Sequence, residues 1–347
     1  MKIVIDRHIP FIEGVLEPFA EVVYADPSAI DRTMCRDADA LIIRTRTRVG
    51  KELLEGSRCR FVATATIGID HIDTDWCSAN GIQVYNAAGC NAPAVAQYVV
   101  SAISLLAHKP FDQMTIGIIG VGNIGGLLAE WTKSLGMNTL LVDPLRAANE
   151  GGNTWSTLEE VTGKADIVTF HTPLTRTGPH PTYHLADRHF FESLERQPVI
   201  INTSRGEVID NLAWSRAIDK GLVRNSVVDV WENEPAISEE LFTKADITTP
   251  HIAGYSVEGK IRATLMVLDR LRNYLNLPEL KPDVELPAET PRNIKGLDFL
   301  GSYNPAHDSL QMKMAFQEAP AGDKRAVFEQ LRDNYRLRHE FTTYPEI

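Results

Sequence analysis

Three side chains that could together move a proton and bind a small acid follow three separate apolar segments of the chain. Arg205 lies in the motif NTSRG, Glu234 in DVWENEP and His251 in TPHIAG. A histidine can accept a hydroxyl proton near neutral pH, and a neighbouring carboxylate stabilises the resulting imidazolium. An arginine can bind a substrate carboxylate through two hydrogen bonds. Each residue alone would more often be a solvated charge or a structural group. The three together, in this order after predicted parallel strands, predict oxidation of a hydroxyl-bearing carbon next to a carboxylate.

A glycine-rich turn supplies the expected hydride acceptor, a nicotinamide dinucleotide. The apolar segment TIGII runs directly into GVGNIG, which continues into the helix-like GLLA. Gly120 permits a tight turn, Gly122 lets the backbone approach a pyrophosphate, and Gly125 lets a helix pack on a strand. Asn123 and Ile124 complete the turn, where helix N-terminal amides bind the anion. A glycine turn without a ligand is the alternative, and the strand–turn–helix context disfavours it.

An acidic residue after the next predicted strand distinguishes between the two nicotinamide cofactors. Asp143 stands at the end of that strand. Its carboxylate can accept hydrogen bonds from both ribose hydroxyls and would repel a 2′-phosphate, so NAD is predicted rather than NADP. Arg146 is close by and is the residue that could accommodate a 2′-phosphate instead.

Two series of alternating strand-like and helix-like segments must position these residues. Parallel α/β sheets bind ligands at the carboxyl ends of their strands, where Arg205, Asp229, Glu234 and His251 are predicted to lie. The strands predicted in the first series are Lys2–Ile5, Glu21–Tyr24, Ala40–Arg44, Phe61–Thr64 and Gln83–Asn86. The strands predicted in the second series are Ile116–Ile119, Thr139–Val142, Ile167–Phe170, Val199–Asn202, Ser226–Val230 and Ile247–Thr249.

Two long helices and a polar C-terminal segment complete the predicted organisation. One helix begins near Asn91, a good N-cap, and a second, Val257–Leu275, shows one apolar face. The stretch Leu277–Pro282 reads as a linker. Residues 285–347 are polar and punctuated by Pro and Gly, and helix-like charge patterning returns at Lys324–Arg338. This segment is predicted to be a small third module, and nothing in it indicates chemistry.

Composition excludes several classes of function. The net charge of −11 disfavours a nucleic-acid partner, which requires a basic surface. The four cysteines form no CxxC pair, which disfavours a zinc site or a disulfide framework and favours the cytoplasm. The most apolar stretch, Tyr98–Ala107, is too short for a membrane span. The segment 68–73, GIDHID, is interpreted as a structural turn, and no metal is expected.

These motifs together resemble those of the D-isomer-specific 2-hydroxyacid dehydrogenase family. The resemblance covers nearly all of residues 1–280 and includes HTPL after the third strand of the second series. It implies that Arg205, Glu234 and His251 are catalytic and that NAD is the cofactor. The further cofactor contacts implied are Thr172, Thr203, Ser204, Arg205, Asp229 and Gly254.

The resemblance also implies a fold and its domain boundaries. The expected fold is a Rossmann doubly wound parallel sheet inserted in a smaller flavodoxin-like α/β substrate domain, with a small C-terminal α+β module. The substrate domain comprises residues 1–90 and is completed by 255–280. Residues 91–254 form the NAD-binding domain, and 285–347 form the C-terminal module.

Three further motifs are similar to those of a subgroup of this family that acts on a small phosphorylated hydroxy acid. They are FVATAT, GCNA and HIAGYS. The C-terminal module is similar to the dimerisation domain of that subgroup and implies a homodimer. Thr45, Thr66 and Tyr255 are implied to contact the substrate. Gln97 and Thr45 depart from the usual Glu and Ser, although both keep a polar group.

The basic segment Ile43–Arg48 is a candidate for binding the substrate phosphate. In an extended segment, Arg44, Arg46 and Arg48 point to one side. The hypothesis is that Arg44, with Arg46 as a second candidate, supplies the positive charge. The alternative is a solvated strand end.

Three alternatives remain open from the sequence. The first is the same chemistry on another acid, such as 3-phosphoglycerate, glycerate or hydroxypyruvate. The second is a non-catalytic NAD-sensing protein on the same fold, which the presence of Arg205, Glu234 and His251 disfavours. The third is a C-terminal module that binds a partner protein instead of a second copy of the chain.

Overall fold

The computed structural model describes residues 1–152, 154–320 and 323–341, and the chain divides into two compact units. The first unit comprises Met1–Asn91 and Ser256–Glu289. The second comprises Ala92–Tyr255 and Thr290–Ile347. The last residues of the predicted C-terminal module, 342–347, lie outside the described residues.

The described residues of the first unit form a five-stranded parallel sheet in the order β2-β1-β3-β4-β5. This strand order is flavodoxin-like, as predicted. The strands are β1 Lys2–Asp6, β2 Glu21–Ala25, β3 Ala40–Ile43, β4 Phe61–Thr64 and β5 Gln83–Asn86. Three short helices connect them: α1 Arg32–Cys35, α2 Lys51–Leu54 and α3 Thr74–Ala79.

The second unit begins with the long buried helix α4, Ala92–Leu106, and contains a parallel sheet in the order β11-β10-β9-β8-β6-β7. Its strands are β6 Thr115–Ile119, β7 Asn138–Val142, β8 Ile167–Phe170, β9 Val199–Asn202, β10 Asn225–Val228 and β11 Ile247–Thr248. The helices between these strands are α5 Asn123–Ser134, α6 Pro144–Glu150, α7 Leu158–Lys164, α8 Arg188–Glu192, α9 Asn211–Asp219 and α10 Glu239–Lys244.

The order of this second sheet is that of a Rossmann domain. An isolated parallel bridge between Leu141 and Trp155 extends the sheet beyond β7, in the place of a third strand. With the bridge counted as the third strand, the order becomes 3-2-1-4-5-6-7, in which β11 is the seventh strand. The reversal point falls between β6 and β8, where such sheets bind dinucleotides. The predicted fold class is therefore confirmed, and the predicted strand ends differ by one or two residues.

Helix α11, Val257–Leu275, returns the chain to the first unit, where it packs on β4 and β5. The Ser256 side chain caps its N-terminus by accepting from the Gly259 amide. Its buried face carries Val267, Leu268 and Leu271, in agreement with the predicted apolar face.

The C-terminal segment belongs to the second unit. It contains α12 Phe299–Ser302, α13 Pro305–Glu318 and α14 Lys324–Asp333. Its side chains Ile294, Phe299, Tyr303 and Phe341 join the core that also contains α4 and β6. The sequence predicted helix-like structure over Lys324–Arg338, and the C-terminal part of that prediction is wrong. Helix α14 ends at Asp333, and Arg338 lies beyond it and is buried.

Within the described residues, no helix is both long and apolar enough to cross a membrane.

Candidate active site

The glycine-rich turn has the geometry that its sequence predicts. Gly120 has φ +87°, and a Cβ there would lie 2.8 Å from the carbonyl carbon of His171 and the amide nitrogen of Thr172. A Cβ at Gly125 would overlap the carbonyl oxygen of Gly120, whereas no atom lies within 4 Å of a Cβ at Gly122. Helix α5 therefore starts tightly against β6, with open space at Gly122 for a ligand.

Asp143 lies beside this turn at the end of β7. Its Oδ2 accepts a hydrogen bond from the Val121 amide at 3.0 Å, and its Oδ1 accepts from the Arg146 amide at 3.1 Å. Arg146 is engaged elsewhere, because it pairs with Glu150 at 2.7 Å and lies over the Trp155 ring at 5.0 Å. The sequence alternative, in which Arg146 accommodates a 2′-phosphate, has less support because this guanidinium is already paired with Glu150.

The groups around the turn fit a bound dinucleotide. The Thr172 hydroxyl is buried, and among the described residues it has no hydrogen-bond partner. A buried hydroxyl without a partner is costly, and a ligand oxygen or nitrogen would satisfy it. With the α5 N-terminus and Asp143, it gives the polar groups that NAD requires at the sheet reversal point. The site therefore fits NAD on the chain's own residues.

His251 and Glu234 form a hydrogen-bonded pair. The Nδ1 atom of His251 lies 2.8 Å from Oε2 of Glu234, and Oε1 of Glu234 accepts from the Trp231 amide at 2.8 Å. The His251 backbone has φ +60°, a conformation that residues other than glycine seldom adopt. With Nδ1 bound to the carboxylate, Nε2 is the ring nitrogen placed to exchange a proton with a substrate.

The environment keeps Glu234 ionised. Burial raises the pKa of this carboxyl, but the charge and hydrogen bond of His251, with the Trp231 amide, bring it below its ordinary value. The charge of Arg332 acts in the same direction. A carboxylate at this place stabilises the imidazolium that forms when His251 accepts a proton.

Asp229 anchors the loop that carries His251. Its buried carboxylate accepts from the Thr249 hydroxyl at 2.7 Å and from the amides of Ile252 and Ala253 at 2.8 and 3.1 Å. Burial raises the pKa of Asp229, against the opposing effects of His251 and these donors. Asp229 follows β10 immediately and is not its last residue, so its side chain can turn into this loop.

Arg205 follows β9 on a turn that is fixed by side-chain bonds. Asn202 Oδ1 accepts from the Ser204 amide and hydroxyl, at 3.1 and 2.8 Å, and its amide donates to the Arg205 carbonyl at 2.9 Å. A Cβ at Gly206 would overlap the Trp231 backbone, so only glycine fits there. The half-buried Arg205 is thus held at the carboxyl end of its strand.

His171 is the other histidine near the turn, and it is not a competing base. It is partly buried, and its ring nitrogens lie 2.8 Å from the Thr169 hydroxyl and 3.4 Å from the Thr203 hydroxyl. Burial lowers the pKa of His171 to about 3, so the ring is neutral at physiological pH.

The predicted substrate residues of the first unit follow β3 and β4. The Thr66 hydroxyl lies 2.6 Å from that of Thr64. Arg44 forms a salt bridge from its Nε to Oδ2 of Asp6 at 2.9 Å, and the Asp6 side chain is fully buried. The sequence predicted that the positive charge of Arg44 binds the substrate phosphate. Asp6 offsets part of that charge. Thr45 follows β3 on the turn next to Arg44.

Two arginines of the C-terminal segment reach the loop after His251, and sequence analysis assigned no role to either. The Arg332 Nε donates to the Tyr255 hydroxyl at 3.1 Å. Arg338 lies over the Tyr303 ring at 4.2 Å. The acceptors of the Arg338 guanidinium are the carbonyl oxygens of Ala94, Ile252, Ala253 and Tyr255, the Gln97 amide oxygen and the Tyr335 hydroxyl. No short-range pattern marks these contacts, since they join residues far apart in sequence.

The second unit therefore contains the predicted catalytic and cofactor residues, together with Gly254 and Tyr255 after His251. Thr45, Thr66 and Arg44 belong to the first unit. Among the described residues, no group of three or more His, Cys, Asp or Glu side chains could hold a metal ion.

Comparison with known proteins identifies the family. Residues 97–253 match the family described as D-isomer specific 2-hydroxyacid dehydrogenase, NAD binding domain. A protein of Bacteroides thetaiotaomicron named erythronate-4-phosphate dehydrogenase is 46% identical, over 99% of this chain and 98% of its own. A protein of the same name from Yersinia enterocolitica is 38% identical, over 99% of this chain and 94% of its own.

Solved structures show the same fold. An NAD-dependent formate dehydrogenase from Staphylococcus aureus, in complex with NAD, superposes with a TM-score of 0.64 at 23% identity, over 83% of this chain and 100% of its own. A glyoxylate reductase from Paecilomyes thermophila gives a TM-score of 0.69 at 21% identity, over 81% of this chain and 97% of its own. The protein is an NAD-dependent dehydrogenase. The chain belongs to the erythronate-4-phosphate dehydrogenases of the D-isomer-specific 2-hydroxyacid dehydrogenase family.

Proposed function

We propose that this enzyme oxidises 4-phospho-D-erythronate to (R)-3-hydroxy-2-oxo-4-phosphobutanoate, a step of pyridoxal 5′-phosphate (vitamin B6) biosynthesis. The observation that carries the proposal is the His251–Glu234 pair at 2.8 Å, in a chain that matches relatives of that name along its whole length. We place the enzyme in the cytoplasm, since all four cysteines are thiols in the described residues.

The proposed chemistry assigns one role to each catalytic side chain. His251 accepts the C2 hydroxyl proton on Nε2, while Glu234 holds the ring through Nδ1 and stabilises its positive charge. Arg205 binds the substrate carboxylate and polarises the carbonyl that forms at C2. NAD, when bound, takes the hydride that leaves C2.

The proposed cofactor contacts follow the crevice at the sheet reversal point. The turn formed by Gly120, Gly122, Asn123, Ile124 and Gly125 holds the pyrophosphate at the N-terminus of α5. Asp143 binds the adenosine ribose. Further contacts come from Thr172, Thr203, Ser204, Arg205, Asp229 and Gly254.

Proposed substrate contacts come from each unit. On the first unit they are Thr45, Thr66 and Arg44, although Asp6 offsets part of the Arg44 charge. On the second unit Tyr255 is the proposed contact.

A substrate panel tests the proposed function. We expect NADH formation with 4-phosphoerythronate to have a kcat/KM at least tenfold above that for erythronate, glycerate or 3-phosphoglycerate. Erythronate and glycerate lack the phosphate, and one missing charge-assisted contact with the substrate is worth about that factor or more. 3-Phosphoglycerate keeps both charged groups but is one carbon shorter, so it cannot reach both anion-binding groups in the same geometry. The panel is read by absorbance of NADH at equal enzyme concentration. A higher kcat/KM for 3-phosphoglycerate or glycerate would reassign the substrate, and NADH binding without turnover of any acid would favour an NAD sensor.

We also propose that the enzyme is a homodimer and that α13 lies in the interface. The side chains of Leu310 and Met314, one helical turn apart, are 58% and 50% exposed. A contiguous exposed apolar patch often marks a protein–protein contact, and these two side chains are neighbours on the exposed face of α13. The opposite face of α13 is fixed, since Ser309, Met312 and Phe316 are buried against the second unit.

The double change Leu310→Asp and Met314→Asp is expected to give a monomer, because two charges would have to lose water in the interface. Light scattering at several protein concentrations measures the mass. The matched control is Leu212→Asp, which alters another exposed leucine of the second unit, 48% exposed on α9, and should leave the dimer intact. A dimer that persists in the double variant would place the interface elsewhere. Truncation near Pro282 is a poor test, because it removes core residues such as Ile294 and Phe299.

A further inference from the structure

One guanidinium of the C-terminal segment is still available to a ligand at the edge of the active site. Arg332 lies on α14, is half-buried, and donates from Nε to the Tyr255 hydroxyl at 3.1 Å. Among the described residues its two terminal nitrogens have no hydrogen-bond partner. Arg338 differs, since all three of its guanidinium nitrogens already donate to carbonyl or side-chain oxygens. Arg338 therefore serves the fold, and Arg332 keeps donors for another group.

Arg332 lies within electrostatic range of the catalytic pair. Tyr255, which it touches, follows His251 in the same loop, and the Tyr255 amide donates to the Ile252 carbonyl at 2.9 Å. Burial lowers the pKa of Arg332, but Tyr255 and the Glu234 carboxylate raise it above its ordinary value. A charged side chain in this place attracts an anion bound beside His251.

We propose that Arg332 binds the terminal phosphate of the substrate and selects for phosphorylated acids. The proposal rests on the proposed function, in which the substrate has a carboxylate at one end and a phosphate at the other. Arg205 is assigned to the carboxylate, so the phosphate requires a second cationic group. A guanidinium presents paired N–H donors that match two phosphate oxygens, and the two terminal nitrogens of Arg332 are in that arrangement.

The relatives named for erythronate 4-phosphate match more of this chain than the two solved structures do. The solved formate dehydrogenase and glyoxylate reductase superpose on 83% and 81% of this chain, with 100% and 97% of their own chains included. The relatives named for erythronate 4-phosphate match 99% of it. Arg332 lies in the last part of the second unit, after Thr290, where the chain has residues beyond its Rossmann sheet.

The competing explanation is that Arg332 only positions Tyr255 and keeps Glu234 ionised. That role would affect every substrate equally, because it acts on groups common to all hydroxy acids. Phosphate binding would affect only phosphorylated acids. The ratio of the two specificity constants therefore separates these explanations.

The test compares Arg332→Ala, Arg332→Gln and Arg332→Lys in the full-length enzyme with NAD. The substrates are 4-phosphoerythronate and erythronate, with erythronate also measured as a competitive inhibitor in case its turnover is slow. Glutamine can keep a hydrogen bond to Tyr255 without the charge, and lysine keeps the charge without the fork. The matched control is Arg336→Ala, which removes an exposed arginine three residues after the end of α14. NADH fluorescence titration and a thermal melt report whether each variant is folded.

We expect Arg332→Ala and Arg332→Gln to lower kcat/KM for 4-phosphoerythronate by about 10- to 100-fold, mainly through KM. Turnover or inhibition by erythronate should change less than about threefold, Arg332→Lys should be intermediate, and Arg336→Ala should match the wild type. An equal loss on both acids, or no loss on either, would overturn the assignment. A wild-type enzyme without preference for the phosphorylated acid would instead overturn the proposed function, and the phosphate site with it.

Discussion

Replacing His251 with alanine is expected to lower kcat by about 100- to 10,000-fold, the range that a positioned general base contributes. In the structure this ring is the group that Glu234 holds at 2.8 Å, and the loop that carries it is fixed by Asp229. The other histidine near the turn, His171, cannot substitute, because burial lowers its pKa to about 3 and its ring nitrogens face Thr169 and Thr203.

The measurement is NADH formation at saturating 4-phosphoerythronate, with NADH binding followed separately by fluorescence. NADH affinity should stay within about threefold of wild type, because the proposed contacts of the cofactor lie on other residues. His180→Ala is the matched control, since it removes an exposed histidine of the same unit and should leave kcat unchanged. If His251→Ala retained near-wild-type kcat, the base would have to be another group.

Replacing Arg338 with methionine is expected to destabilise the second unit by about 3 kcal/mol or more. Methionine fills a similar volume but donates no hydrogen bonds, so buried acceptors of α4 and of the loop after His251 would each lose a donor. The Ile252 carbonyl keeps the Tyr255 amide. Among the described residues, the Ala253 carbonyl and the Gln97 amide oxygen would be left without a donor. Each such group costs about 1–3 kcal/mol, and water can compensate only part of it. The acceptors lost are Ala94, Ile252, Ala253, Tyr255 and Gln97.

Urea denaturation followed by tryptophan fluorescence measures this effect, since Trp131, Trp214 and Trp231 are buried in the second unit. The midpoint for Arg338→Met should fall clearly below that of wild type, and kcat should fall because the loop after His251 loses its support. Arg338→Lys should recover part of the stability, and Arg336→Met should behave as wild type. An unchanged midpoint in Arg338→Met would show that these carbonyls find other donors.

Sequence alone determined the parts of this protein that short segments encode. Most of the strands follow from apolar runs, because a strand covered on both faces needs little beyond side-chain hydropathy to be recognised. The glycine turn follows in the same way, since Gly120 and Gly125 occupy positions where a Cβ would collide with backbone. The pairing of His251 with Glu234 could also be anticipated, because both residues follow parallel strands at one edge of a sheet.

Tertiary structure alone decided what the charged groups do once they are placed. Asp6 pairs with Arg44 although 38 residues separate them, and this contact weakens the phosphate role that the basic segment suggested. The Asp229 carboxylate binds the loop after His251, which the motif DVWENEP does not reveal.

The C-terminal segment is the clearest case in which the contacts of charged residues could not be predicted from the sequence. Its charge pattern predicted a helix through Arg338, but the chain leaves the helix at Asp333 and buries Arg338 among carbonyl groups up to 244 residues away in sequence. Hydrophobic periodicity reports on neighbours within one helix or strand. It carries no information about which distant carbonyl will need a donor, so the positions of Arg332 and Arg338 beside the catalytic loop could be found only in the folded chain.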